Sequence, residues 1–334
     1  MTTTPSMRAL IVHDADADFT DTQIARPVAR EGEVLVRVHA SGVNPLDTKI
    51  RAGAAAHARH PLPAVLGMDL AGVVERVGPG VTRFRVGDEV YGLAGGIGGL
   101  QGTLAEFAAV DADLLALKPA NLSMREAAAL PLIVITAWEG LVDRAQVRAG
   151  QKVLVHGGAG GVGHVAVQIA AAFGAEVFAT GSAAQSEVIR GFGATPIDHA
   201  TTTVDQYVER YTDGAGFDVV YDTVGGAVLD ASFKAARMYG GHVVSCLGWG
   251  THALAPLSFR AATYSGVFTL IPMLTGRGRA NHGHILAEAA RLVEAGKLLP
   301  RMDERRFDLG SAADAHLAVT TRSARGKIVV DVHA

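Results

Sequence analysis

The chain has 334 residues, 49% of them apolar, a formal net charge of -3 and a single cysteine, Cys246. That length allows two domains with sizeable cores, and the near-balanced charge gives no footing for a nucleic acid or an anionic membrane surface. One cysteine excludes an intrachain disulfide and a thiolate metal cluster; with no signal peptide and no apolar run of spanning length, the expected location is the cytoplasm.

In chain order, the first part is β-rich. Met7 to Val12 is a strand candidate, and across Glu33 to His39 the residues Val34, Val36 and Val38 alternate with Leu35, Arg37 and His39, which sets one face on a core. Ala40 to Gly53 follows, with a turn forced at Asn44-Pro45 and polar side chains gathered around it. Ala54 to Pro63 reads as a pliable segment holding His57 and His60. Gly67 to Gly78 and Val86 to Gly92 read as short strands with turns, the grammar of a small barrel, and Gly95 to Gly102 as a flexible glycine loop. From Ser123 the pattern turns helical. Ser123 and Glu126 form a capping box, Pro131 stops that helix, and Ile133 to Val142 forms the next, carrying Thr136 and Trp138.

The most informative stretch is Lys152 to His164. Val153, Leu154 and Val155 read as a parallel strand covered on both faces, Gly158, Gly160 and Gly163 satisfy G-x-G-x-x-G, and Val162, Val165, Ala166, Ile169, Ala170 and Phe173 repeat at helical spacing. Glycine there permits a tight turn, close approach of backbone to a pyrophosphate and close packing of helix on strand, while the free N–H groups of the helix face the phosphates. Further strands are expected at Glu176 to Thr180, Phe217 to Asp222 and His242 to Leu247, the last containing Cys246. Helical segments separate them, the alternation of a doubly wound parallel α/β sheet. Near Tyr264 this pattern thins out. Ile285 to Ala295 reads as an amphipathic helix ended by Gly296, and Gly326 to Val332 as a terminal strand. The expected organisation is a discontinuous outer domain, residues 1–124 and 266–334, around an inserted nucleotide-binding domain, residues 125–265.

Five segments in this order, Ser41-Gly42-Val43-Asn44-Pro45, Leu66 to Val74, Val86 to Gly92, Ala159 to Gly163 and Gly326-Lys327-Ile328-Val329, resemble the medium-chain dehydrogenase/reductase superfamily. Within it the chain is similar to the zinc-free quinone oxidoreductase (ζ-crystallin-like) group. The resemblance implies a chaperonin-10-like β-barrel catalytic domain, a Rossmann domain, hydride transfer from NADPH in a cleft between the domains, and a homodimer. Zinc alcohol dehydrogenases of the superfamily have a Cys where this chain has Asn44 and a His-Glu pair where it has Met68-Asp69, and neither Asn nor Met is a normal zinc ligand. No metal is therefore expected, and Gly95 to Gly102 stands where a four-cysteine lobe would be.

The resemblance also implies site residues. Asn44 and Thr136 contact the cofactor near the nicotinamide, Leu247 and Phe268 line it, and Asp47 shapes the pocket floor. Lys49, His57 and His60 are the ionisable candidates for supplying a proton, the loop from Ala54 to Pro63 having no tyrosine, and Tyr91 and Trp249 are candidate aromatic walls for a flat carbonyl substrate. Gly158, Ala159, Gly160, Gly161, Val162 and Gly163 cradle the pyrophosphate. Gly181 and Ser182 end the second strand with no acid at the tip, which favours NADPH over NADH; Arg322 is the expected cation for the 2′-phosphate, while Gln185 and His199 replace a Lys and a Tyr of relatives. An edge strand at Tyr264 to Leu270 is expected to pair with its copy in the dimer. Besides a quinone reductase, the sequence leaves open a 2-alkenal or enoyl reductase and a non-catalytic NADPH-binding protein.

Overall fold

The computed structural model describes residues 5–333. Two units are distinguished: Met1–Leu132 with Leu270–Ala295 and Pro300–Ala334, and Ile133–Thr269 with Gly296–Leu299. The first begins with strands β1 (Ser6–Val12), β2 (Thr20–Ala25), β3 (Glu33–Val43), β4 (Ala64–Val65), β5 (Asp69–Val77), β6 (Glu89–Leu93), β7 (Phe107–Asp111) and β8 (Leu115–Leu117). The second carries β9 (Lys152–His156), β10 (Glu176–Gly181), β11 (Thr195–Asp198), β12 (Val219–Asp222), β13 (His242–Ser245) and β14 (Thr263–Gly266). The chain then returns to the first unit with β15 (Phe307–Asp308) and β16 (Ile328–Asp331).

Among the described residues, the first unit holds a three-stranded sheet, β2-β1-β4, and a seven-stranded sheet in which β15-β16-β3-β5-β6-β8 pair in that order and β7 pairs with β3. Val34, Val36 and Val38 are fully buried, as their alternation predicts, but the strand runs on past His39 to Val43 because β16 takes up its far half. At its end the expected turn is the start of helix α1 (Pro45–Arg51), with Asn44 as the cap and Pro45 in the first turn, where its missing N–H costs no helical bond. The glycine loop from Gly95 to Gly102 is packed at its two ends and exposed at Gly98 and Gly99: Gly96 N–H donates to Leu100 O at 3.0 Å, and a Cβ on Gly95 would overlap the Gln101 carbonyl.

Helix α2 (Met124–Ala128) opens with the Ser123–Glu126 box, Ser123 N–H donating to Glu126 Oε2 at 2.9 Å. Pro131 does not stop it. That proline opens α3 (Pro131–Trp138), which widens into a π turn at Glu139–Arg144. A Cβ on Gly42 would stand 2.2 Å from Ala128 O, so α2 lies hard against β3 and belongs to the first unit. The boundaries expected at 124/125 and 265/266 accordingly lie after Leu132 and after Thr269.

The second unit is built on a parallel sheet of order β11-β10-β9-β12-β13-β14, a doubly wound nucleotide-binding order. Val153, Leu154 and Val155 of its central strand are fully buried, and Phe178, Phe217, Val220 and Phe233 pack in a core against Leu154. β14 is shorter than the expected Tyr264 to Leu270 and pairs in parallel with β13. The late helix begins earlier than read, at Arg279, and Cys246 lies just past β13. Among the described residues no helix is long and apolar enough to cross a membrane.

Candidate active site and its relatives

The glycine turn between β9 and helix α4 (Gly161–Ala172) has no room for side chains where the motif requires none. A Cβ on Gly163 would lie 2.0 Å from Gly157 O, and one on Gly158 would lie 2.5 Å from Ala179 Cβ. Gly160 is different: it is exposed and meets nothing nearer than Gly157 O at 3.1 Å, so the space over it is available to a ligand. Ala159 is buried, Gly161 is exposed and Val162 half-buried at the head of α4. The turn is buttressed from β10. Gly158 N–H donates to Thr180 O at 2.9 Å, and Gly157 N–H to Thr180 Oγ1 at 3.1 Å. These features fit the pyrophosphate of a dinucleotide.

At the tip of β10, Gly181 is too close to Ile189 Cδ1 for a Cβ, and Ser182 N–H donates to Gln185 Oε1 at 3.0 Å. Gln185 thus holds the Ser182 turn. His199 follows β11 and donates its N–H to Gly181 O at 3.1 Å, which ties it to this tip. Next along the sheet, Asp222 ends β12 and accepts hydrogen bonds from Val224 and Gly225 N–H and from Ser245 Oγ at 2.7 Å. Leu247 and Phe268 lie just past the ends of β13 and β14, and Thr136 lies in α3 with its carbonyl accepting from Tyr221 OH at 2.7 Å. His156 is buried beside Thr180, which pushes its imidazole well below the ordinary value. Burial pushes the Cys246 thiol up to about 12, so it is no nucleophile at neutral pH.

In the first unit, Asn44, Asp47, Asp69 and Lys327 form a buried polar cluster, each at most 7% exposed. Asn44 Nδ2 donates to Asp69 Oδ2 at 2.8 Å, and Asn44 N–H donates to Asp47 Oδ2 at 2.8 Å. Lys327 Nζ donates to Asn44 Oδ1 and, at 3.2 Å, to Val43 O; Leu132 N–H donates to Asp69 Oδ1 at 2.9 Å. Burial raises the Asp47 carboxyl to about 7, helped by the charge of Asp69 and opposed by the Asn44 N–H and Lys327. It likewise raises Asp69 to about 6, with Lys327 opposing most strongly. Burial lowers the Lys327 ammonium, and the two carboxylates pull it back. Asn44 and Asp47, expected at the reacting centre, are both buried at the head of α1, Asn44 as its cap and Asp47 in its first turn. Lys327 is not legible as a site residue in the sequence: it sits in the Gly326-Lys327-Ile328-Val329 motif, but nothing in that motif says that the side chain points inward.

Beside α1 lies a cavity of about 490 Å³ whose lining includes Ile50, Gly53, Ala55, Arg59, His60 and Leu62. The expected loop from Ala54 to Pro63 forms much of its wall. His60 is half-buried with Nε2 at 3.4 Å from Val65 O, and burial moves its imidazole below the ordinary value. Lys49 is exposed on α1 and His57 is exposed in the loop. Tyr91 is not an aromatic wall: it is fully buried and its hydroxyl donates to Leu286 O at 2.6 Å. Trp249 is 54% exposed, with its ring edge-to-face to Phe268 at 5.9 Å. Arg322 is exposed just past the helix Ala312–Thr320, in a left-handed backbone conformation.

Zinc does not fit the residues at the positions of its superfamily ligands. Asn44 and Met68 supply no anionic or imidazole donor, both oxygens of Asp69 are engaged, and an ammonium stands on the far side of Asn44.

Residues 30–120 match the alcohol dehydrogenase GroES-like domain, and residues 192–330 match the family described as zinc-binding dehydrogenase. The chain is 36% identical to an NADPH-dependent alkenal/one oxidoreductase, chloroplastic, of Arabidopsis thaliana, over 97% of its own length and 79% of the relative's. It is 37% identical to a 2-methylene-furan-3-one reductase of Solanum lycopersicum, over 93% of its own length and 74% of the relative's. Among solved structures, an alcohol dehydrogenase superfamily protein from Novosphingobium aromaticivorans superposes with a TM-score of 0.96 at 59% identity, covering 98% of this chain and all of that one. With the sheet order, the glycine turn and relatives of this identity along nearly its whole length, the chain belongs to the medium-chain dehydrogenase/reductase superfamily of oxidoreductases.

Proposed function

We propose that the protein is a zinc-independent reductase of small conjugated carbonyl compounds, saturating the activated double bond of an alkenal or alkenone in the cytoplasm. The cofactor is NADP(H). The observation that carries the reading is the similarity, along 97% of this chain, to an alkenal/one oxidoreductase; the glycine turn and the cavity beside α1 support it. A cavity of this size, walled by Ile50, Ala55 and Leu62, suits a small apolar acceptor.

When bound, NADPH supplies the hydride. In this reading the backbone N–H groups of Gly161, Val162 and Gly163, the open first turn of α4, hold the pyrophosphate, Ser182 and Arg322 take the 2′-phosphate, and Thr136, Leu247 and Phe268 line the nicotinamide. Hydride adds to the β carbon of the acceptor, negative charge passes to the carbonyl oxygen, and a proton completes the product at the α carbon. Lys49, exposed on α1, is the side chain assigned to deliver that proton. Asn44 and Asp47 act from beneath, holding α1 and the cavity wall it carries.

A quinone is the second acceptor class, favoured by the exposed Trp249 ring set edge-to-face to the half-buried Phe268, on which a flat ring can stack. Steady-state rates with NADPH across 2-alkenals, enones, quinones and saturated aldehydes, with products identified by mass, decide between them. Alkenals and enones are expected to show the highest kcat/KM and a saturated double bond in the product. Faster quinone turnover selects the second reading, and no turnover of any acceptor leaves a non-catalytic NADPH-binding protein.

The reading includes a homodimer in which β14 pairs with its copy. Tyr239 and Phe259, 88% and 83% exposed, flank Arg260, whose carbonyl accepts the Tyr239 N–H, and would be covered in such an assembly. Light scattering is expected to give twice the chain mass, and a monomer rejects the pairing.

A further inference from the structure

Asn44 is the cap residue of α1, and its amide is the only part of it that reaches across to other elements of the cluster. One end meets the ammonium of Lys327, 283 positions away in sequence, and the other meets the carboxylate of Asp69 at the start of β5. A primary amide has one accepting and one donating end. Turned over, it would set its NH₂ against an ammonium and its oxygen against a carboxylate, replacing two charge-assisted bonds with two repulsions. Lys327 is itself held by its backbone, its N–H donating to Arg301 O at 2.7 Å and its carbonyl accepting from Asp303 N–H at 3.0 Å. It also donates to Val43 O, the last residue of β3, so one ammonium fixes both the strand end and the helix cap. From that cap α1 runs to Arg51, and Ile50, Gly53 and Ala55 form one wall of the cavity.

We propose that Lys327 is a positioning residue for the acceptor cavity: it imposes the orientation of the Asn44 amide and thereby pins the head of α1, and the wall that α1 carries, to β5 and to the segment before β16. The assignment rests on the reading that this cavity takes the acceptor. It concerns a lysine that touches neither acceptor nor cofactor.

The test compares Lys327→Met with the pair Lys327→Met/Asp69→Asn in the full-length protein. Lys327→Met is expected to lower kcat/KM for the acceptor on the order of 10-fold, the usual size of an effect transmitted by a supporting residue, with NADPH affinity held within about twofold. The double variant removes both charges together, so it regains thermal stability; it stays slow because nothing now orients the amide. A wild-type kcat/KM in Lys327→Met, or a double variant that recovers rate along with stability, overturns the proposal and leaves Lys327 as charge balance alone. A second readout does not depend on catalysis. The chain has three asparagines, Asn44, Asn121 and Asn281, so asparagine-selective ¹⁵N labelling gives three side-chain NH₂ pairs, that of Asn44 being the one lost in Asn44→Ala. Its two protons are expected to be sharp and slow to exchange in the wild type, and broadened with faster exchange in Lys327→Met. An unchanged Asn44 pair overturns the proposal. If the wild type reduces no alkenal, enone or quinone, the functional reading fails and the NMR result alone decides the pinning.

Discussion

The glycine turn after β9 and the polar cluster beneath α1 reach definite geometry by opposite means. The turn is made by absence: within seven consecutive positions, Gly157 to Gly163, missing Cβ atoms let the chain close on itself and on the neighbouring strand β10, and the glycine spacing that permits this is local. The cluster is made by presence, with one ammonium, one amide and two carboxylates drawn together from the end of β3, the cap and first turn of α1, the start of β5 and the segment before β16. A local motif shows in sequence as spacing. A cluster assembled over 283 positions does not, because each member alone looks like an ordinary polar residue at the end of a strand or helix.

The largest effects are expected at the turn, where the comparison can be broken most directly. Gly163→Ala forces a Cβ onto the Gly157 carbonyl and should cost both thermal stability and NADPH binding. Gly160→Ala meets little protein, so its melting temperature should stay near that of the wild type while NADPH affinity falls by about tenfold or more, ~1.4 kcal/mol or above, as the methyl stands where the phosphates approach. Calorimetric titration together with thermal melts checks both. Equal loss of stability in the two variants would show that the exposed glycine is a packing residue like its neighbour.

At the tip of β10 the same local logic sets cofactor choice. Ser182→Asp places a carboxylate where the 2′-phosphate is assigned, and the preference for NADPH should fall by about tenfold, ~1.4 kcal/mol, with NADH binding gaining or holding. Titration of both cofactors into both proteins measures it. An unaltered preference would move 2′-phosphate recognition away from this strand tip.

The parallel sheet, the glycine turn, the barrel strands and the Ser123 cap were all legible, since each is written in period or spacing within some ten residues. Other features were set by tertiary partners. β3 reaches Val43 because β16 pairs with it, Tyr91 is core because its hydroxyl finds Leu286 O, and Gly95, Gly96 and Gly102 are glycines because backbone lies against them. The candidate site divides the same way. Its nucleotide half was read from the motif, whereas the burial of Asn44 and Asp47 and the participation of Lys327 depend on which way side chains point.

The cluster gives a smaller and pH-dependent effect. With Asp47 raised to about 7 and Asp69 to about 6, the folded chain keeps protons that the unfolded chain, with carboxyls near pH 4, has released. Proton binding is then greater in the native state between about pH 4 and 7, so this contribution to stability falls as pH rises through that window. Asp47→Asn removes the Asp47 part and relieves Asp69 of its neighbour. Its melting temperature, compared with the wild type, should therefore improve steadily from pH 5 to pH 8. The buried histidines His156 and His316, lowered by burial, titrate in both proteins and cancel in the difference. Parallel melting curves across that range would mean that Asp47 carries no proton of its own.

The smallest effect is expected at Lys49, which sharpens the contrast because it stands on the same helix as Asp47 but faces solvent. A buried general acid is commonly worth 10² to 10⁴ in rate, roughly, because nothing can replace it. An exposed ammonium has water as a substitute, so Lys49→Met should lower kcat by only about two- to threefold, on the scale of a proton transfer that solvent can take over. NADPH affinity should not change, and the deficit should show as a kcat effect with KM for the acceptor nearly constant, since the proton is delivered after hydride addition. Replacing water by deuterium oxide separates the cases: a solvent isotope effect larger in Lys49→Met than in the wild type marks protonation as having become slower. A loss above about a hundredfold would place Lys49 within a closed site during turnover, and an unchanged kcat would remove it from the reaction and leave α1 to act through its buried face alone.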